Sequence, residues 1–152
     1  MSYRIVGDSC TDLTESMRKD ERIRIVPLLL QVGKETVVDD ESFEQGRFLK
    51  MMKDCSECPK SYCPSPEAYM DAFEGADEIF VVTLSSHLSG SYNSAELAKM
   101  LYLEKHPNKK ISVIDSRSAA AGQTLIALCI LQAKEAGADF EETVGRAMKF
   151  RD

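Results

Sequence analysis

Histidine, basic clusters and long apolar runs are scarce in this sequence, and each shortage removes a class of function. No apolar run approaches the roughly 20 residues of a membrane-spanning helix. The opening Met1-Ser2-Tyr3-Arg4 has no charged region leading into an apolar stretch, so no signal peptide and no membrane insertion are expected. Lys and Arg number 19 against 25 Asp and Glu, for a net charge of −6. With no basic stripe, neither a nucleic-acid partner nor electrostatic docking on an anionic membrane is expected. The motif G-x-x-x-x-G-K-S/T is absent, as are a strand-following G-x-G-x-x-G and G-x-S-x-G. Their absence excludes a P-loop, a dinucleotide fingerprint and a hydrolase elbow. There is no internal repeat and no low-complexity segment.

What is present suits one compact domain. The 152 residues are 43% hydrophobic and 29% charged, enough for a sizeable core. Five cysteines, an odd number, without a signal peptide imply reduced thiols and a cytoplasmic location. Cys55, Cys58 and Cys63 form C-x2-C-x4-C, but a structural zinc site takes four ligands and no nearby Cys or His supplies the fourth. They are read as loop thiols, and neither metal nor cofactor is expected.

The chain alternates between apolar runs and polar turns. Tyr3–Gly7 reads as a strand ending in Asp8-Ser9-Cys10-Thr11-Asp12, and Leu13–Lys19 as a short helix capped by Thr11 or Asp12. Ile23–Val32 is a second apolar run, broken at Pro27, and Gly33-Lys34 turns it into a hairpin with Thr36–Asp39. Ser42–Met52 reads as a helix with a capping box from Ser42 to Gln45. A loop over Asp54–Pro66 leads to a helix capped by Ser65 that ends at Gly75. Strand Glu78–Leu84 feeds a helix over Ser91–Glu104, and strand Ile111–Ile114 feeds an apolar, buried helix over Ala119–Gly137. Phe140–Phe150 is a last helix capped by Asp139. Three strand–turn–helix units predict an α/β fold: an open, mostly parallel sheet flanked by helices, with a small β-hairpin.

Such sheets bind ligands beyond the carboxyl ends of their strands. Here those ends carry Asp8-Ser9, Ser85-Ser86 and Asp115-Ser116. The central stretch, Asp77–Ala98, runs from a buried strand through Ser85-Ser86-His87-Leu88-Ser89-Gly90-Ser91 into a helix. Free N–H groups, the helix dipole and serine hydroxyls meet there, which suits a carboxylate or another small anion; otherwise the serines only cap the helix. Catalytic groups are few, and no catalytic residue is assigned. Asp8, Asp12 and His87 would be the acids and base of an alternative small-molecule enzyme; otherwise the aspartates serve the turns and His87 the surface. His106, beside Pro107, is read as a surface residue. Phe80, Val82, Leu88, Met51 and Met52 either line an apolar pocket or belong to the core.

Several segments in order resemble the DegV family. Asp8-Ser9-Cys10-Thr11-Asp12-Leu13 is similar to that family's D-S-x-x-D-L, and Ile25-Val26-Pro27-Leu28 to its second strand. Ser61-Tyr62-Cys63-Pro64-Ser65-Pro66 resembles T-S-Q-P-S-P, with serine replacing the first threonine. Ser85 to Ala95 resembles S-S-x-L-S-G-T-Y-Q-S-A, and Val113-Ile114-Asp115-Ser116 resembles V-x-D-S. The resemblance implies a non-enzymatic cytoplasmic bacterial protein that binds a long-chain fatty acid. It implies that Ser61 and Ser89 hold the carboxylate, with Ser86, Gly90, Ser91 and Ser9 in the same polar rim. It implies presentation of the acid to a fatty-acid kinase ATP-binding subunit as a partner. An interaction domain with a vestigial site is the other alternative. Family members run to nearly twice this length, so 1–152 is expected to be a single α/β domain resembling their N-terminal domain, the second domain being absent.

Overall fold

In a computed structural model, which describes residues 2–152, four parallel strands form the central sheet. Met1, the first residue of the N-terminal stretch considered above, lies outside the described residues. The strands are β1 (Tyr3–Asp8), β2 (Ile23–Val26), β6 (Glu78–Thr83) and β7 (Lys110–Asp115), in the order β2-β1-β6-β7. The register pairs Gly7 with Val82 and Val82 with Ile114, so β1, β6 and β7 end at one level.

Both faces of the sheet are covered, which is why its central strands are continuous apolar runs. Ile5, Phe80, Val82 and Ile114 pack against α5 (Ala121–Glu135) and α6 (Phe140–Arg151). Val6, Ile79 and Val81 pack against α3 (Pro66–Phe73) and α4 (Ser91–Lys105). Phe80 and Val82 are therefore core on the α5–α6 face, while Leu88 is 71% exposed; the reading of these residues as one pocket wall does not hold. Helix α5 buries Ile126, Ala127, Ile130 and Leu131 but leaves Leu125 exposed, so it is covered on one side rather than all round.

A second sheet, antiparallel, has the order β4-β3-β5. Pro27 ends β2, and the chain resumes as β3 (Leu29–Val32), turns at Gly33 (φ +58) and returns as β4 (Glu35–Val38). Its third strand, β5 (Lys60–Tyr62), pairs Leu30 with Ser61 inside what the sequence presents as a loop. Two helix starts also differ from expectation. Thr14, not Thr11 or Asp12, caps α1 (Glu15–Arg18), accepting from Met17 N–H at 3.3 Å. Helix α2 (Gln45–Asp54) has Glu44 rather than Ser42 at its cap position, because the Ser42 hydroxyl and N–H both donate to Asp40 Oδ1. Ser65 and Asp139 cap α3 and α6 as expected, accepting from Ala68 and Glu142.

Two buried polar ties hold the layers together. Lys134 Nζ on α5 donates to Glu78 Oε2 on β6 at 2.8 Å and to the Ala138 carbonyl at 3.0 Å. Both charged side chains are nearly enclosed, at 13% and 6% exposure, so removing one partner strands the other. Asp8, fully buried at the end of β1, accepts from Leu84 N–H at 2.6 Å, Gln123 Nε2 at 3.0 Å and Cys10 N–H at 3.2 Å. One carboxylate thus joins β1, β6 and α5. Burial pushes its pKa above the ordinary carboxylate value, against the pull of those three donors.

Lys134→Met is expected to lower unfolding free energy by about 3 kcal/mol, and adding Glu78→Leu to recover most of it, as read by urea denaturation. Asp8 tests the linkage. Its raised folded-state pKa means the native chain binds this proton more tightly than the unfolded chain, so this contribution to stability fades as pH rises through that value. Thermal melts are expected to show Asp8→Asn most destabilised near about pH 4 and less so near about pH 7. A gap independent of pH would contradict the assignment.

Candidate functional site

The carboxyl ends of β1, β6 and β7 present three hydroxyl-bearing turns, and the structure gives each serine a distinct task. Ser9 Oγ accepts the Leu28 N–H at 3.0 Å, fixing the β2–β3 bend onto β1. Ser86 donates its hydroxyl to Asp115 Oδ2 at 2.5 Å and its N–H to Oδ1 at 3.1 Å. Burial pushes the Asp115 carboxyl up, but Ser86 and the Arg117 N–H outweigh it and hold it below the usual carboxylate value. Ser85, also buried, receives the His87 N–H at 3.3 Å. These contacts shape the loops.

Ser89, Gly90 and buried Ser91 open α4, and the segment that follows Ser61 is docked beside them. On β5, Ser61 is paired with Leu30, so its side chain shares the face of Leu28, Leu30 and Val32. Tyr62 takes the opposite face, where its hydroxyl donates to Gln31 Oε1 at 2.6 Å. Alternation returns Cys63 to the Ser61 face. There it meets the start of α4: a Cβ built on Gly90 would lie 3.0 Å from Cys63 Sγ. Next to it, Ser94 Oγ donates to the Pro64 carbonyl at 2.5 Å. The Ser61 loop is thus docked on the Ser89-Gly90-Ser91 turn although the two lie far apart in sequence. Ser61 remains exposed and Ser89 is half-buried.

The turn has the electrostatics of an anion seat. Helix α4 has 15 residues, and its first turn carries no acidic side chain. The first N–H groups of a helix lack intrahelical acceptors and lie at the positive end of its dipole. Ser91 N–H donates to Ser89 Oγ at 3.2 Å, and the two hydroxyl oxygens are 2.9 Å apart. Close to Ser91 lies buried Tyr69, whose hydroxyl has no hydrogen-bond partner among the described residues. Thr83 Oγ1 and Gln123 Oε1, also buried near the strand ends, are likewise unpartnered there. Tyr69 escaped the sequence reading because an aromatic one turn into a helix looks like core, which its ring is.

Asp8, Asp12 and His87 are not assembled for acid–base chemistry. Asp8 is sealed beneath Leu84 and Gln123, while Asp12 and His87 are exposed. Burial, then the charges of Asp8, Asp39 and Asp12, push the neighbouring Cys10 thiol up to about 11, which leaves it neutral. Among the described residues no group of three or more His, Cys, Asp or Glu is placed to hold a metal ion. No described helix is long and apolar enough to cross a membrane.

Two concavities lie away from this turn. An open cleft of about 1180 Å³ follows the outer edge of β2 and includes Ser9. Its margin carries Asp12, Asp20, Glu21, Asp39, Asp40 and Glu41 against Arg4, Arg18, Lys19 and Arg24, a balance that disfavours an anion. A smaller one, about 420 Å³, lies between β4 and α2, with Val37, Phe48 and Met51 on its wall.

Comparison with known proteins places the chain in a family. The family model described as "Uncharacterised protein, DegV family" matches residues 2–152. A DegV domain-containing protein of Streptococcus gordonii is 44% identical over 146 residues, which is 95% of this chain and 52% of that protein. The chain therefore spans about half the length of the curated relatives it matches. A solved DegV family protein from Ruminococcus gnavus, refined with vaccenic acid, superposes with a TM-score of 0.95 at 43% identity, covering 99% of this chain and 55% of that one. The Fatty Acid Kinase (Fak) B3 protein of Streptococcus pneumoniae, loaded with linoleic acid, gives 0.91 at 39% identity, covering 99% of this chain and 54% of that one. A DegV family protein from Eubacterium eligens, loaded with heptadecanoic acid, gives 0.92 at 35% identity with the same shares covered. The match over nearly every residue, in sequence and in backbone, shows that the chain belongs to the DegV family.

Proposed function

We propose that this chain binds a long-chain fatty acid, its carboxylate gripped between Ser61 on β5 and Ser89 at the start of α4. The observation that carries the reading is the close docking of Cys63 and Pro64 on Gly90 and Ser94. It brings the loop of exposed Ser61 against the helix start that carries half-buried Ser89, and Ser61 shares its strand face with apolar Leu30. A charged head and an apolar tail need those two surroundings side by side. Solved relatives at 43%, 39% and 35% identity hold vaccenic, linoleic and heptadecanoic acid, which supports the reading.

On this reading the residues 1–152 are the N-terminal domain of the family's architecture, and a second domain completes the enclosure of the tail. Each buried methylene contributes about 0.8 kcal/mol, so affinity grows with the length of tail enclosed. The chain performs no bond chemistry itself. Its partner is the ATP-binding subunit of a fatty-acid kinase, to which it presents the acid; the kinship with the Fak B3 protein supports this. Five free thiols fit a reducing cytoplasm.

Native mass spectrometry of the purified chain with oleate is expected to show a one-to-one complex. Ser61→Ala and Ser89→Ala are each expected to weaken binding about tenfold, the size of one charge-assisted hydrogen bond. A double variant that binds oleate as the wild type does would overturn the assignment of the carboxylate to these two serines.

A further inference from the structure

A hydroxyl has one proton to give, and the Ser89–Ser91 pair must divide its protons between itself and a ligand. The two oxygens are 2.9 Å apart, and either can donate to the other. If Ser89 donates inward to Ser91, no proton is left for a carboxylate. If Ser91 donates outward to Ser89, the Ser89 proton is free, and the Ser91 oxygen is left ready to accept. The buried group beside Ser91 is Tyr69, whose hydroxyl has no hydrogen-bond partner among the described residues.

We propose that Tyr69 is a positioning residue for the carboxylate site: its hydroxyl donates to Ser91, which donates to Ser89, so that the Ser89 proton is aimed at the ligand. The inference rests on the carboxylate reading of Ser89 given above. An unpartnered buried hydroxyl is costly, and an arriving anion offers the polarisation that closes the gap. Hydrogen bonds lined up in one direction strengthen each other, so the innermost donor adds to the outermost contact. Tyr69 is suited to the role because it stays protonated. Burial pushes its pKa up, the Asp8 carboxylate adds to this, Ser91 opposes it, and the Cys63 and Cys10 thiols push it further up. Its place on α3 also ties the two loops together. Ser65 caps this helix directly after the Ser61 loop, and Tyr69 N–H donates to the Ser65 carbonyl at 3.3 Å.

Tyr69→Phe deletes only a hydroxyl that is unpartnered in the free protein, so its melting temperature is expected to match or exceed that of the wild type. Titration calorimetry on the full chain is expected to show oleate weakened about fivefold, the size of one net hydrogen bond, with oleyl alcohol unchanged. The carbon-13 carboxyl resonance of bound oleate should titrate at a higher pH in Tyr69→Phe than in the wild type, because a weaker donor chain stabilises the carboxylate less. Wild-type oleate affinity in Tyr69→Phe, alongside weakening in Ser89→Ala, would overturn the relay and leave the carboxylate site standing. Equal weakening of oleate and oleyl alcohol would also overturn it, since that is lost packing. Failure of the wild type to bind oleate would overturn the carboxylate site and the relay with it.

Discussion

The approach of Cys63 to Gly90 is the contact on which the polar site depends. Residue 90 has ordinary helical backbone angles (φ −75), so glycine is there for space rather than for conformational freedom. A Cβ at that position would sit 3.0 Å from Cys63 Sγ, so the thiol would have to give way by a few tenths of an ångström. The Ser94 bond to the Pro64 carbonyl closes the same seam. Without that seam Ser61, on the second sheet, and Ser89, in the turn before α4, would be unrelated serines.

A second constraint works from below. Asp8 is enclosed by Leu84, Gln123 and Cys10, and it fixes where β6 ends and the serine turn begins. Its carboxyl is sealed inside the fold, so it is lost to chemistry but sets the geometry above it. The same division applies to the serines. Ser9 and Ser86 are tied to Leu28 and Asp115 in other segments, whereas Ser89, among the described residues, bonds only within its own turn, to buried Ser91.

Much of this was legible in the residues. Apolar runs at Glu78–Thr83 and Lys110–Asp115 with helices after them announce parallel βαβ units, and the Ser65 and Asp139 caps stand where the polar residue precedes the helical pattern. What was hidden depended on partners distant in sequence or on local competition. Strand β5 is three residues between prolines, and only pairing with β3 makes it a strand. Ser42 looked like a cap but bonds to Asp40, two residues back, and the helix starts later. The serines could be nominated from the sequence, but their separate tasks could not. Which hydroxyl is free depends on Asp115, Leu28 and Tyr69, residues from three other segments.

The central claim is that Ser61 and Ser89 hold one carboxylate between them. A crystal structure of the chain with oleate tests it most directly. The expected result is a carboxylate whose oxygens lie within roughly 3 Å of both Ser61 Oγ and Ser89 Oγ, with the tail running along the Leu28–Leu30–Val32 face. A carboxylate bound instead in the cleft beside β2, with both serines left to solvent, would contradict it.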